Sequence, residues 1–147
     1  MVVGLAFAAV SAFWGLGGTF LLDTVGGALE SRGREGDPLL LTVVWLSIPL
    51  KVVAAVVGVA VVRRWAPPSR YRLVALVAWL AAVVLTVYGA VLTGVGLLVQ
   101  ADVVSASADA DTRALRWHTY LWDPWFLVWG LLLLIALRRW RAALSRA

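Results

Sequence analysis

Lys51 is the residue of this sequence from which chemistry is most readily expected. It is the single lysine beside twelve arginines, and no other charge stands within thirteen residues before it or eleven after it. An ionisable side chain inside so apolar a run is ordinarily functional, binding a charged group or passing a proton. Carboxylates at Asp23 and Asp123, each at the edge of another apolar run, could pair with the ammonium. Trp14, Trp45, Trp125 and Trp129 could hold an apolar or cationic group, and Ser47 adds a hydroxyl one helical turn before Lys51. His118 is the only histidine and reads as a solvated side chain or a proton relay. Without a carboxylate or cysteine cluster around it, it is no metal signature. The chain has no cysteine, which excludes disulfides and thiolate chemistry, and no G-x-S-x-G, P-loop or H-E-x-x-H motif. Neither a metal nor a cofactor is expected.

The elements that must position these residues follow from composition. Of the 147 residues 63% are hydrophobic and 14% charged, with a mean hydropathy of +0.92. A soluble domain would show roughly 45–50% apolar and about 25% charged residues. The apolar residues fall in blocks that approach or exceed the roughly 20 residues that cross a bilayer. The sequence predicts an all-α, polytopic membrane protein, a single transmembrane domain over residues 1–147 folded as a four-helix bundle. The spans are expected at about 2–22, 38–62, 71–101 and 122–137. "DP" at Asp37–Pro38 and again at Asp123–Pro124 reads as an N-cap followed by the first helical residue, and Ser69 as the N-cap of the third span. "GLGG" at Gly15–Gly18 reads as a packing feature within the first span, which is retained because no charged n-region precedes it.

Charge orients the spans. Arg63, Arg64, Arg70 and Arg72 share the middle loop with no acid, and Arg138, Arg139, Arg141 and Arg146 the C-terminus, while the eight acids fall in the other two loops. The positive-inside rule then places both termini in the cytoplasm and the acidic loops outside a cell (cytoplasmic) membrane. Those arginines account for most of the net charge of +5, so nucleic acid is not an expected partner.

Faces and depths come next. Trp79, Ala82, Thr86, Gly89, Thr93, Gly96 and Gln100 alternate at three and four residues, a stripe of small and polar side chains suited to close helix contact in lipid. Lys51 shares a small face with Ser47, Ala55 and Gly58. It lies roughly 20 Å by helical rise from Pro38 and about 18 Å from Arg63, near the midplane of a core about 30 Å thick. Asp123 lies about 22 Å above Arg138 by the same rise. The expectation is a Lys51–Asp123 pair, with Asp23 the weaker partner, in a pocket edged by Trp14, Trp45, Trp129 and Ser47. His118, Trp122, Trp125 and Trp129 would share a face if the fourth helix begins early.

"FWGLGGTFLLDTVGG" resembles the start of a family of short, four-span bacterial membrane proteins classified only as a domain of unknown function. Its Trp-x-x-Gly-Gly element and following Asp correspond to Trp14, Gly17, Gly18 and Asp23, and the resemblance runs on to Trp122–Trp125. It implies a fold and no activity. Three functions stay open: a protein binding or transforming a small lipid- or isoprenoid-like amphiphile, a small transporter or channel subunit, or a structural accessory subunit. Whether it is an enzyme is left open by the residues. Membrane lipid and an amphiphilic small molecule are the partners expected, with a homo-oligomer in the transporter reading.

Overall fold

The computed structural model describes residues 1–63, 65, 68–106 and 110–145. Among these the regular structure is helical throughout: α1 (Val2–Gly15), α2 (Gly27–Glu35), α3 (Pro38–Val62), α4 (Pro68–Gln100), α5 (Thr112–Trp117) and α6 (Asp123–Leu144). Arg64 and Arg146 of the charge pattern lie outside the described residues.

Three helices are long and apolar enough to cross a membrane: Pro38–Val62, Ser69–Gln100 and Thr112–Ala143. The first expected span differs. Fourteen residues of α1 rise only about 21 Å, short of a core about 30 Å thick. The GLGG stretch ends the helix instead of packing within it. Gly17, at a φ of +90°, takes the left-handed position, its N–H bonds Trp14 O, and the Gly18 N–H bonds Phe13 O at 2.9 Å. This paired closure is how glycine stops a helix. Gly36, at a φ of +67°, ends α2 in the same way, with Asp37 N–H bonding Arg32 O at 2.9 Å. Asp37 then caps α3 by accepting from Leu40 N–H at 2.9 Å, as the Asp–Pro pair predicts.

The second Asp–Pro pair does something else. The chain is already helical from Thr112, capped by Asp111, whose Oδ1 accepts from the N–H groups of Arg113 and Ala114. Asp123 is therefore inside a continuous helix and is not its N-cap. Pro124 has no N–H for the carbonyl four residues back, and the preceding residues, His118–Trp122, open into a π-helical turn. α4 likewise starts one residue ahead of Ser69, so that serine lies in the first turn.

Packing divides the bundle by depth. We call the end with Asp37, Asp102 and Asp111 the acidic end, and that with Arg63, Arg70 and Arg138 the arginine end. Toward the arginine end Val57 and Val61 of α3, Ala78 and Ala82 of α4, and Leu133 and Leu137 of α6 form one buried cluster. Toward the acidic end Phe7 of α1, Ala55 of α3, and Trp122 and Trp129 of α6 form the other. The expected stripe on α4 faces α6. A Cβ on Gly89 would strike the Leu127 backbone, one on Gly96 the Thr119 side chain, and one on Gly130 the Thr86 backbone. These contacts bring the two helix backbones together as small residues do in lipid. α4 is not the central helix, however, since α3 and α6 are the two that each pack on the other three apolar helices.

Gly89→Leu should therefore lower stability by about 3 kcal/mol or prevent folding, by overpacking against backbone that cannot yield. Val87→Ala, on the exposed side of the same helix, should change it by less than about 0.5 kcal/mol. Equal losses in a reversible detergent-unfolding assay would contradict the α4–α6 contact.

Candidate functional site

Lys51 emerges from α3 toward α1. Its Nζ donates to the Ser11 hydroxyl and sits 4.3 Å from the centre of the Phe7 ring. The Ser11 hydroxyl in turn donates a hydrogen bond to the Phe7 carbonyl at 3.2 Å. The ammonium thus has a hydroxyl and a π face, and no carboxylate lies within ion-pair distance among the described residues. Asp123 is elsewhere. Its Oδ1 lies 3.3 Å from His118 Nδ1, and the other ring nitrogen, Nε2, lies 3.3 Å from the Val25 carbonyl. No direct Lys51–Asp123 ion pair is present; the expectation allowed a pairing through water as well.

Phe7 explains the separation. Its ring centre is 5.9 Å from Trp122 and 5.6 Å from Trp125, and Lys51 Nζ lies over the same ring at 4.3 Å. α1 packs along α3, so an aromatic side chain of α1 stands between Lys51 and α6. Helical rise fixes the height of a residue but not which neighbour its side chain meets.

The remaining expected site residues scatter. Asp23 leaves the bundle altogether and pairs with Arg113 at 2.6 Å, both partly exposed, a pair of small energetic weight. Trp14 donates to Phe20 O at 2.9 Å and stacks edge-on against Trp122 at 5.5 Å. Trp45 is 47% exposed and rests against Gly15. Ser47 bonds its own helix through Val44 O at 2.8 Å. Trp129 is buried, where a Cβ on Gly4 would strike its ring and lie 2.8 Å from Ala55 Cβ. Among the described residues, Trp14 and Trp129 line different cavities.

What does converge is a belt from α6. Because the helix starts early, His118, Trp122, Trp125 and Trp129 all turn toward α1 and the segment after it. Trp122 Nε1 donates to Thr24 Oγ1 at 3.0 Å, and Trp125 Nε1 to Val3 O at 3.1 Å. Thr24 and the His118–Asp123 contact were not singled out from sequence. The available signal was the Asp111–Thr112 cap, masked by the polar stretch that follows it. Among the described residues no three of His, Asp and Glu converge as they would around a metal ion.

Two cavities flank this belt. At the acidic end a small one of about 90 Å³ is lined by Trp14, Gly18, Leu22, Val25, Gly33 and Leu40. At the arginine end a larger one of about 360 Å³ opens beside Met1 and Val3 at the start of α1, between Ala54, Ala55, Gly58 and Val59 of α3 and Trp129 and Leu133 of α6, with Arg63 at its edge. Lys51, Asp123 and Ser47 do not line it.

A family model described as "Protein of unknown function (DUF3995)" matches residues 4–133. The chain belongs to this family. The match takes in both polar sites and most of the lining of the larger cavity. Neither the curated proteins nor the solved structures give a match.

With no carboxylate to strand, Lys51→Met should leave stability within about 1 kcal/mol of the parent or raise it, since replacing a buried charge by an apolar isostere is often neutral or favourable. Asp123→Leu should cost about 2 kcal/mol or more by breaking a buried polar contact. A loss of 3 kcal/mol or more, roughly that of a broken buried ion pair, on changing Lys51 alone would contradict the Ser11–Phe7 environment.

Proposed function

We propose that this is a four-span protein of the cell membrane that binds a lipid- or isoprenoid-like amphiphile within the bundle. In this reading α1 and the residues 16–24 together make the first crossing, and the arginine end faces the cytoplasm, with both termini. The observation that carries the reading is the cavity of about 360 Å³ at the arginine end, which is within the size range of roughly 300–1,000 Å³ for small-molecule sites. Its walls are apolar, with Trp129 as a flat aromatic surface and small residues on α3 leaving room beside it. Arg63 is the one ionisable side chain among its lining residues, which suits a polar head at the membrane surface and an apolar tail within. Among its described lining residues there is no carboxylate or imidazole, so binding is favoured over transformation.

A second reading, a small proton-coupled transporter acting as a homo-oligomer, is favoured by the His118–Asp123 contact. Native mass spectrometry of the protein released from nanodiscs addresses the first. An amphiphile should stay bound to the parent, and Ala54→Phe, which fills the cavity, should reduce its occupancy about tenfold, equivalent to about 1.4 kcal/mol. A parent that retains no such molecule, or a variant that retains it equally, would count against the reading. Orientation has its own check, because the chain has no native cysteine. An impermeant maleimide applied to intact cells should label Arg34→Cys and spare Ser145→Cys, and the reverse pattern would invert the topology.

A further inference from the structure

The single histidine stands between two acceptors. Asp123 Oδ1 lies 3.3 Å from one ring nitrogen and the Val25 carbonyl 3.3 Å from the other. A carbonyl only accepts, an ionised carboxylate only accepts, and a neutral imidazole carries one N–H. A neutral ring beside a carboxylate can therefore satisfy one contact and leaves lone pairs opposed at the other. Both are satisfied when the pair holds one more proton. That proton makes either an imidazolium facing a carboxylate or a carboxylic acid donating to Nδ1 of a ring whose Nε2–H faces Val25. The two forms hold the same number of protons.

We propose that His118 and Asp123 form a single proton-binding site, and that the bound proton holds the segment around Val25 closed over the acidic-end cavity. The helix is built for the pairing. Five residues apart on an α-helix of 3.6 residues per turn, the two side chains would diverge. The π-helical turn at His118–Trp122, with its wider i→i+5 spacing, brings them to one side. Access is graded as a proton site requires. The Asp123 side chain is 8% exposed and that of His118 39%, so the ring is the more accessible member of the pair.

Among the described residues no other ionisable side chain is in hydrogen-bond or ion-pair contact with His118 or Asp123. From the turn after α1, Asp23 is engaged by Arg113 of α5 at 2.6 Å. From α2, Glu30 is engaged by Arg34 at 2.9 Å. Arg116 is on the same helix two residues before His118. From α4, Tyr88 lies within the field of Asp123. α1 presents Phe7 and Trp14, and Lys51 of α3 is turned to Ser11 behind Phe7. Val25 is the mechanical link, because it accepts from His118 and also lines the cavity with Trp14, Gly18 and Leu22. When the proton leaves, one of the two contacts must open, and the Val25 carbonyl is the neutral and weaker acceptor.

Because His118 is the only histidine, ring-¹⁵N-histidine protein in lipid nanodiscs reports one imidazole. Its protonation is followed by nuclear magnetic resonance from about pH 5 to about pH 9, a range spanning histidine titration. In parallel, maleimide labelling of Val25→Cys is measured as a ratio to that of the exposed Ser105→Cys, which removes the thiol's own pH dependence. Loss of the ring's second proton, or of the shared proton, should coincide with a rise of about tenfold or more in that ratio. Asp123→Asn can donate its amide to Nδ1 and needs no extra proton, so it should keep the ratio low across the range. His118→Leu removes both contacts and should keep it high. A ring that titrates with no change in the Val25 ratio overturns the coupling. A ring titration unaltered by Asp123→Asn overturns the shared site, and should the Asp123 or His118 variant fail to fold, the ring titration set against the Val25→Cys ratio in the otherwise unchanged chain decides the coupling.

Discussion

Water is scarce inside a bilayer, so a polar group carried there needs a partner in the protein. That constraint organises the bundle. Trp125 reaches the Val3 carbonyl, Trp122 the Thr24 hydroxyl, and Trp14 the Phe20 carbonyl. Thr86 and Thr119 turn back on the carbonyls of Ala82 and Leu115. Lys51 takes Ser11 and the Phe7 ring. Two of these bonds join the last helix to α1 or to the turn behind it, which ties down the short first helix. Indole is suited to the task, since it fills space between helices while its N–H finds an acceptor.

Close backbone approach sets up this arrangement. Gly89 and Gly96 of α4 and Gly130 of α6 leave no side chain where the two helices meet. With α6 seated there, its aromatic face is free for α1, and the π-helical turn before Pro124 sets the direction of His118 and Asp123. Two hydroxyl and indole groups, Thr93 Oγ1 and Trp140 Nε1, are buried without a protein partner among the described residues. Most of the other polar side chains between the helices are engaged locally, within their own helix or with the next one.

Much of the fold was legible in the chain, and the failures have physical causes. α3 was read at its observed bounds because Asp37–Pro38 is a cap signal and the apolar run ends in arginine. The small stripe on α4 identified its contact face because small residues at that spacing have one use in lipid. α1 was overextended because Thr19, Phe20, Leu21 and Leu22 continue its hydropathy while Gly17 reverses its backbone, and hydropathy does not sense φ. The last apolar helix begins at Thr112 and runs to Ala143, beyond the expected 122–137 at both ends, because Arg113, Arg116 and His118 lower the hydropathy of its first turns and Asp123–Pro124 imitates a start. At the candidate site, Lys51 does face another helix, as the small face it shares predicts, and Asp123 is buried. Their azimuth was not legible, since it depends on which helix lies between them, and no spacing within α3 or α6 encodes the position of Phe7.

The central claim is that Phe7 separates two independent polar sites, one built on Lys51 and one on His118 and Asp123. The most direct measurement is a double-mutant cycle of Lys51→Met and Asp123→Asn by reversible unfolding in one detergent. Groups without shared partners combine additively, within about 0.5 kcal/mol, and that is the result expected here. A coupling of about 2 kcal/mol or more, of the kind seen between residues in contact, would mean that the two charges interact and would contradict the account.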